Sequence, residues 1–173
     1  MNKILIFGVG LIGGSIALSA KKSGLASDIV GVGRNQDNLN DAIKLKLIDR
    51  TSQELNKDIA EAQIIIIATP VAQFPLILKT IQPHLSSHTI ITDVGSTKTS
   101  VIESAKQILG SQYSQFIGGH PIAGSEKHGA TAAHIDLFKD KNVILTPDQD
   151  TSPRAKEVIE ALWENAGAIV SNM

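Results

Sequence analysis

The chain has 173 residues, 42% apolar and 19% charged, enough to bury the core of one α/β domain and short for two. Sixteen Lys and Arg stand against 17 Asp and Glu, a formal net charge of −1, so no basic surplus points to nucleic acid and any anion site must be built by local geometry. Cysteine is absent, which excludes disulfides and thiolate metal sites, and no metal site is expected from the remaining residues. No window reaches the ~18 continuous apolar residues of a membrane span. Gly8, Gly10, Gly13 and Gly14 interrupt the apolar N-terminus and argue against a signal peptide. A cytoplasmic protein with neither membrane nor nucleic-acid partners is expected.

In chain order, Lys3-Ile4-Leu5-Ile6-Phe7 reads as a buried strand and Leu11 to Ser23 as a helix. Lys21 and Lys22 suit the negative end of that helix, and Gly24 the position just past it. Asp28 to Gly33 forms a second strand and Asn35 to Lys46 a second helix. Gln63 to Ala68 is a β-branched run without alternation, as expected of a parallel strand covered on both faces. Pro70 starts a helix to about Ile81, which Pro75 must shorten or kink. Thr89 to Thr92 is the next strand, followed by a helix from Thr97 to Leu109. Phe116-Ile117-Gly118 is a short fifth strand and Asn142 to Thr146 a sixth. Ser152 caps a last helix with Pro153 at its first position and an end near Ala166, and Ala168-Ile169-Val170 begins one more strand. This alternation implies an α/β fold: a Rossmann-type doubly wound, mainly parallel sheet with helices on both faces.

Between the first strand and first helix lies Gly8-Val9-Gly10-Leu11-Ile12-Gly13, a G-x-G-x-x-G turn. Gly8 permits the tight turn, Gly10 lets a pyrophosphate approach the backbone, and Gly13 lets helix and strand pack closely. Free N–H groups at the helix start, at Leu11 and Ile12, then face phosphate oxygens. The pattern is weak alone and strong between a strand and a helix. An NAD site places an acid at the end of the second strand, but here that strand ends Gly33-Arg34-Asn35. Arg34 suits a 2′-phosphate and Asn35 a further hydrogen bond, so NADP is the expected cofactor. An exposed loop arginine is the plainer reading of Arg34, and Asp37 keeps NAD open.

The unusual segment is Gly118-Gly119-His120-Pro121-Ile122-Ala123-Gly124-Ser125-Glu126, placed after the fifth strand, where open α/β sheets bind ligands. His84 and His88 sit in a polar turn and His134 in a loop, so only His120 has this setting. Imidazole as a class titrates near neutrality and suits proton transfer, although a lone histidine is as readily structural.

His120-Pro121-Ile122-Ala123-Gly124-Ser125-Glu126 resembles the signature of the prephenate/arogenate (cyclohexadienyl) dehydrogenase family. Ala68-Thr69-Pro70-Val71 and Asp93-Val94-Gly95-Ser96-Thr97-Lys98 agree with it, in the family's order and over essentially the whole chain. The resemblance implies an NADP- or NAD-dependent oxidative decarboxylation of prephenate or arogenate, giving 4-hydroxyphenylpyruvate or tyrosine in tyrosine biosynthesis. It implies that His120 is the catalytic group at the substrate's ring hydroxyl and that Ser96 shares that hydrogen bonding. Thr69 and Pro70 would lie near the nicotinamide, while Ser125 and Glu126 would border the substrate pocket. Helix capping is the plainer role for Ser96, and for Lys98 an exposed place in the first helical turn stands beside an anion contact. His128 departs from the family pattern, which has a small residue there. The family also carries a mostly helical C-terminal domain that forms a homodimer and completes the substrate pocket; residues 1–173 would be the dinucleotide-binding catalytic domain without it. Another NADP-dependent dehydrogenase and a non-catalytic NADP-binding module are the alternatives.

Overall fold

Along each inner strand, successive apolar side chains point to opposite faces and divide the interior into two cores. The computed structural model describes residues 2–173. In chain order its elements are β1 (Lys3–Phe7), α1 (Leu11–Lys22), β2 (Asp28–Val32), α2 (Gln36–Lys44), β3 (Arg50–Thr51), α3 (Leu55–Glu61) and β4 (Ile64–Ile67). There follow α4 (Phe74–Ile81), β5 (Ile90–Asp93), α5 (Lys98–Leu109), β6 (Phe116–Pro121), β7 (Asn142–Thr146), α6 (Pro153–Asn165) and β8 (Ile169–Asn172). Ile4 and Ile6 of β1 and Ile64 and Ile66 of β4 enter one core, with Ile16 of α1, Leu39 of α2 and Ile159 and Trp163 of α6. Leu5 and Phe7, with Ile65 and Ile67, enter the other, against Ile59 of α3, Phe74 and Leu78 of α4, and Val101 and Ala105 of α5. Both faces of β4 are covered, which is why four isoleucines in succession are stable there.

The eight strands form one sheet in the order β3-β2-β1-β4-β5-β6-β7-β8. The chain winds outward from β1 through β2 to β3, then crosses back so that β4 pairs with the other edge of β1. This reversal makes the crevice between the carboxyl ends of β1 and β4 the switch point, where such sheets receive ligands. All pairings are parallel except β6 with β7. That pair is antiparallel because its connection, residues 122–141, carries only a 3-10 turn at Ala130–Ala132 and no crossover helix.

Three details differ from the sequence reading. β3 and α3 occupy a stretch to which the sequence reading assigns no element, the first being two polar residues and the second seven residues long. Residues 71–73 form a 3-10 turn and α4 begins only at Phe74, so Pro75 sits in its first turn, where its missing N–H costs nothing. β6 runs on to Pro121, which puts His120 inside a paired strand rather than in the loop beyond it.

At the amino end of β1, opposite the glycine turn, Asp58 is buried and accepts hydrogen bonds from Arg50 Nη2 (2.6 Å) and Nη1 (3.1 Å), Ser52 Oγ (2.7 Å) and Lys3 Nζ (3.1 Å). Arg50, against the opposing effect of burial, holds the Asp58 carboxyl far below the ordinary carboxylate range. The folded value therefore lies below the unfolded one. The resulting stabilisation is fully present above the ordinary carboxylate range and fades as pH falls through the folded value. Asp58→Asn should cost about 2 kcal/mol at pH 7, less than a fully buried pair because Arg50 is partly solvated. The gap from the parent should narrow below about pH 4. Urea denaturation at neutral and acid pH checks both.

Candidate functional site

At the carboxyl end of β1 the chain turns on Gly8, whose φ of +91° suits glycine and where a Cβ would lie 2.7 Å from the Ala68 carbonyl oxygen. Gly8 N–H extends the β1–β2 ladder by donating to the Val32 carbonyl at 2.9 Å. Gly13 lies against the Gly8 carbonyl and has no room for a side chain. Gly10, by contrast, faces open space: a Cβ there would meet nothing within 4 Å. It caps α1 without a side-chain hydrogen bond, and the first intrahelical bond is Gly14 N–H to Gly10 O at 2.8 Å. The N–H groups of Leu11, Ile12 and Gly13 are thus free of helical partners at the positive end of the dipole, the arrangement that binds phosphate.

Across the switch point, Thr69 and Pro70 follow β4. The Thr69 hydroxyl is buried and has no hydrogen-bond partner among the described residues. An unpartnered buried hydroxyl costs ~1–3 kcal/mol, which a polar ligand atom would recover. On the β2 side Arg34 is exposed. Asn35 is the N-cap of α2, its side chain accepting from Asn38 N–H at 2.9 Å, so its oxygen is already engaged. Asn38 was not singled out from sequence, yet its Nδ2 donates to the Val9 carbonyl (2.8 Å) and its Oδ1 accepts from Ala130 N–H (2.7 Å). It joins the glycine turn to the far end of the loop that carries Ser125, Glu126 and His128. Ser15 Oγ, which accepts from His134 N–H at 3.0 Å, is a second tie for that loop.

His120 is half-buried and lies at the carboxyl end of β6, opposite Ile144 of β7. Ser96 is exposed in the turn between β5 and α5. It is not the helix cap: Thr97 holds that position, and without a side-chain cap bond. Lys98 is not the exposed lysine of the first helical turn either. Its ammonium contacts the buried Asp93 carboxylate at 2.5 Å and donates to the Gly119 carbonyl at 2.7 Å. Burial is the largest influence on both ionisable groups, pushing Asp93 up and Lys98 down from their ordinary values. Ser125, Glu126 and His128 are exposed, with Ser125 Oγ accepting from Lys127 N–H at 3.1 Å. The sequence-predicted residues therefore collect at the carboxyl edge of β1, β2, β4, β5 and β6. Asp93 had passed as part of a motif; an acid at a strand end, five residues before a lysine, was the signal for its role. Among the described residues, no group of three or more His, Asp or Glu side chains is arranged to hold a metal ion, and no helix is long and apolar enough to cross a membrane.

Residues 16–172 match the family described as prephenate dehydrogenase, nucleotide-binding domain. The chain belongs to this family. It is 43% identical over 168 residues to a prephenate dehydrogenase of Bacillus subtilis, a match covering 96% of this chain and 45% of that protein. It is 32% identical to a cyclohexadienyl dehydrogenase of Zymomonas mobilis, with 98% of this chain and 57% of that protein covered. Among solved structures, prephenate dehydrogenase from Aquifex aeolicus, in complex with hydroxyphenyl propionate and NAD+, superposes with a TM-score of 0.91 at 34% identity, covering all of this chain and 60% of that one. Synechocystis arogenate dehydrogenase gives 0.88 at 34% identity, covering 99% and 59%. The chain spans about half the length of the curated relatives it matches.

Asn38 generates a direct expectation. Asn38→Leu leaves the Val9 carbonyl and the Ala130 N–H without partners and should destabilise the fold by about 1–3 kcal/mol. Amide exchange at Ala130 should accelerate while the β1 and β4 amides keep their protection, as read by NMR hydrogen exchange.

Proposed function

We propose that this chain is the dinucleotide-binding, catalytic-histidine part of a dehydrogenase that oxidatively decarboxylates prephenate or arogenate, with NADP as cofactor. The observation that carries the reading is the meeting of His120, Ser96, the free start of α1 and the unpartnered Thr69 hydroxyl at one edge of the sheet, in a chain of this family. A pyridine nucleotide, when bound, supplies the hydride acceptor. Gly10 keeps a side chain out of the phosphate path while Gly8 and Gly13 allow the turn and the close packing behind it, and the N–H groups of Leu11 and Ile12 take the pyrophosphate oxygens. Arg34 pairs with the 2′-phosphate. Asn35 offers only its Nδ2 there, since its oxygen caps α2. Thr69 and Pro70 border the nicotinamide.

On the substrate side, His120 accepts the proton of the ring hydroxyl and Ser96 aligns that hydroxyl by a hydrogen bond. Removing this proton as the ring loses hydride turns the hydroxyl into a carbonyl. As the ring carboxylate leaves as carbon dioxide, the electron pair of the broken bond moves through the ring to that oxygen, which takes the proton back from His120 as the phenol of the aromatic product. Ser125 and Glu126 border the pocket, Ser125 as the nearer contact. The remaining walls, and the homodimer, belong on this reading to a C-terminal helical domain, for which the greater length of the relatives leaves room. A cytoplasmic location goes with the same reading. NAD is the second reading for the cofactor: the Aquifex relative was solved with NAD+, and Asp37 is exposed in the first turn of α2.

Initial rates with prephenate and arogenate, each with NAD and NADP, test the proposal on this chain, alone and joined to the C-terminal region of the Bacillus subtilis relative. Nucleotide binding without turnover in both would favour a non-catalytic module. His120→Asn should lower turnover by roughly 10²–10⁴-fold while leaving nucleotide affinity unchanged; near-normal turnover would remove His120 as the base. Arg34→Asp should weaken NADP relative to NAD by about tenfold or more in a binding titration, and an unchanged ratio would remove Arg34 from the cofactor site.

A further inference from the structure

Asp93 is the last residue of β5, and there the β5–β6 ladder ends: the two strands pair at Ile91↔Phe116 and Thr92↔Ile117 and no further. On its other edge β6 continues with β7 through Gly118↔Thr146, Gly119↔Leu145 and His120↔Ile144. Both backbone groups of Gly119 need partners where the first ladder has stopped. Side chains provide them. Gly119 N–H donates to Asp93 Oδ1 at 3.2 Å, and Lys98 Nζ donates to Gly119 O at 2.7 Å. The other carboxylate oxygen, Oδ2, accepts from Lys98 Nζ at 2.5 Å and from Gly95 N–H at 2.8 Å.

The strand is shaped for this approach. A Cβ on Gly119 would lie 2.8 Å from the Asp93 carbonyl oxygen, and one on Gly118 would lie 2.5 Å from Thr146 Oγ1 and 3.4 Å from Lys98 Cδ. Asp93 is only 2% exposed. Apolar residues of similar volume commonly replace such a buried pair without loss of stability, so stability alone is a weak reason for an ion pair here. What apolar side chains lack is the ability to hold two backbone segments at once. The two residues held, Gly95 and Gly119, immediately precede Ser96 and His120.

We propose that Asp93, with Lys98 as its counter-ion, is a positioning residue that fixes Ser96 relative to His120. One carboxylate grips the glycine before each, so the spacing of the two groups is set by a side chain rather than by the sheet. The proposal rests on the dehydrogenase reading only for its kinetic consequence. Lys98→Met alone strands a carboxylate in the interior and can unfold the protein, so the decisive variant is the neutral pair Asp93→Asn/Lys98→Met, with Lys98→Arg as the conservative control.

In the double variant the β1 and β4 amides should keep their exchange protection while the Gly95 and Gly119 amides exchange about tenfold faster or more. The NMR resonances of Ser96 and of the His120 ring should shift. Turnover of prephenate should fall about 100-fold with KM for the nucleotide little changed, the size expected when reacting groups move by ~1 Å. Lys98→Arg should recover most of it. Unmoved Ser96 and His120 resonances in a folded double variant would overturn the proposal, as would turnover within a few-fold of the parent. If the parent turns over no substrate even when joined to the C-terminal region of a longer relative, the dehydrogenase reading falls by itself, and the resonances alone decide whether Asp93 positions the two groups.

Discussion

Parallel pairing of β1 with β2 on one edge and β4 on the other is the constraint from which the rest of the molecule follows. β1 is buried along its whole length, so every one of its backbone groups must find a partner within the sheet. Two parallel neighbours require two crossovers, and the chain direction must reverse between them. The reversal places the switch-point crevice at the carboxyl ends of the strands. Glycine at positions 8, 10 and 13 shapes that end, while β1 and β4 are filled with aliphatic side chains along their length. The Gly8 turn, the Thr69 hydroxyl and the Asp93 carboxylate all lie at or just past the strand termini on this edge.

Electrostatics is organised along the same axis. Opposite the crevice, Asp58 gathers Arg50, Lys3 and Ser52 into a network that ties β3 and α3 to the start of β1. The neighbouring Glu61 contact to Lys3, at 2.6 Å, is more exposed and adds little. At the crevice end a second buried acid, Asp93, meets a single cation and two backbone N–H groups. The first network fastens secondary elements whose own apolar contacts are few. The second holds backbone that the ladder has released. In each case a carboxylate stands where regular pairing gives out, because it accepts several hydrogen bonds from directions that no strand could supply.

How far this was legible from the residues depends on how local the cause is. The strands at Lys3–Phe7 and Ile64–Ile67, and the helix opened by Ser152-Pro153, follow from burial pattern and capping chemistry, and the structure matches them closely. Ser152 even makes its cap bond to Ala155 N–H at 3.1 Å. The glycine turn was readable because each glycine answers a local steric demand. β3 and α3 were not, because Arg50-Thr51 pairs through the register of β2, and the seven-residue α3 is too short to show a period and buries Asp58 beside Ile59. Lys98 was left open and Asn38 passed over for the same reason: their partners, Asp93 and Gly119 in one case and Val9 and Ala130 in the other, meet them only through tertiary structure.

The loop after Pro121 shows how rigid and open parts divide the work. It leaves β6 directly beyond His120, passes through the exposed Ser125–His128 stretch, and is caught again at Ala130 by Asn38 and at His134 by Ser15. Gly14 accommodates this landing, since a side chain there would collide with Ala133 Cβ at 2.7 Å. The loop is thus fastened to the glycine-turn helix on one side and to the Asp93-bound strand on the other, with residues 124–128 exposed between the two ties. On the proposed reading, a tether at each end and an exposed stretch between them suit a pocket wall that adjusts to a ligand while His120 stays in place. His120 belongs to the fixed part, inside a paired strand one residue beyond a doubly held glycine. Ser125 and Glu126 belong to the part that can yield.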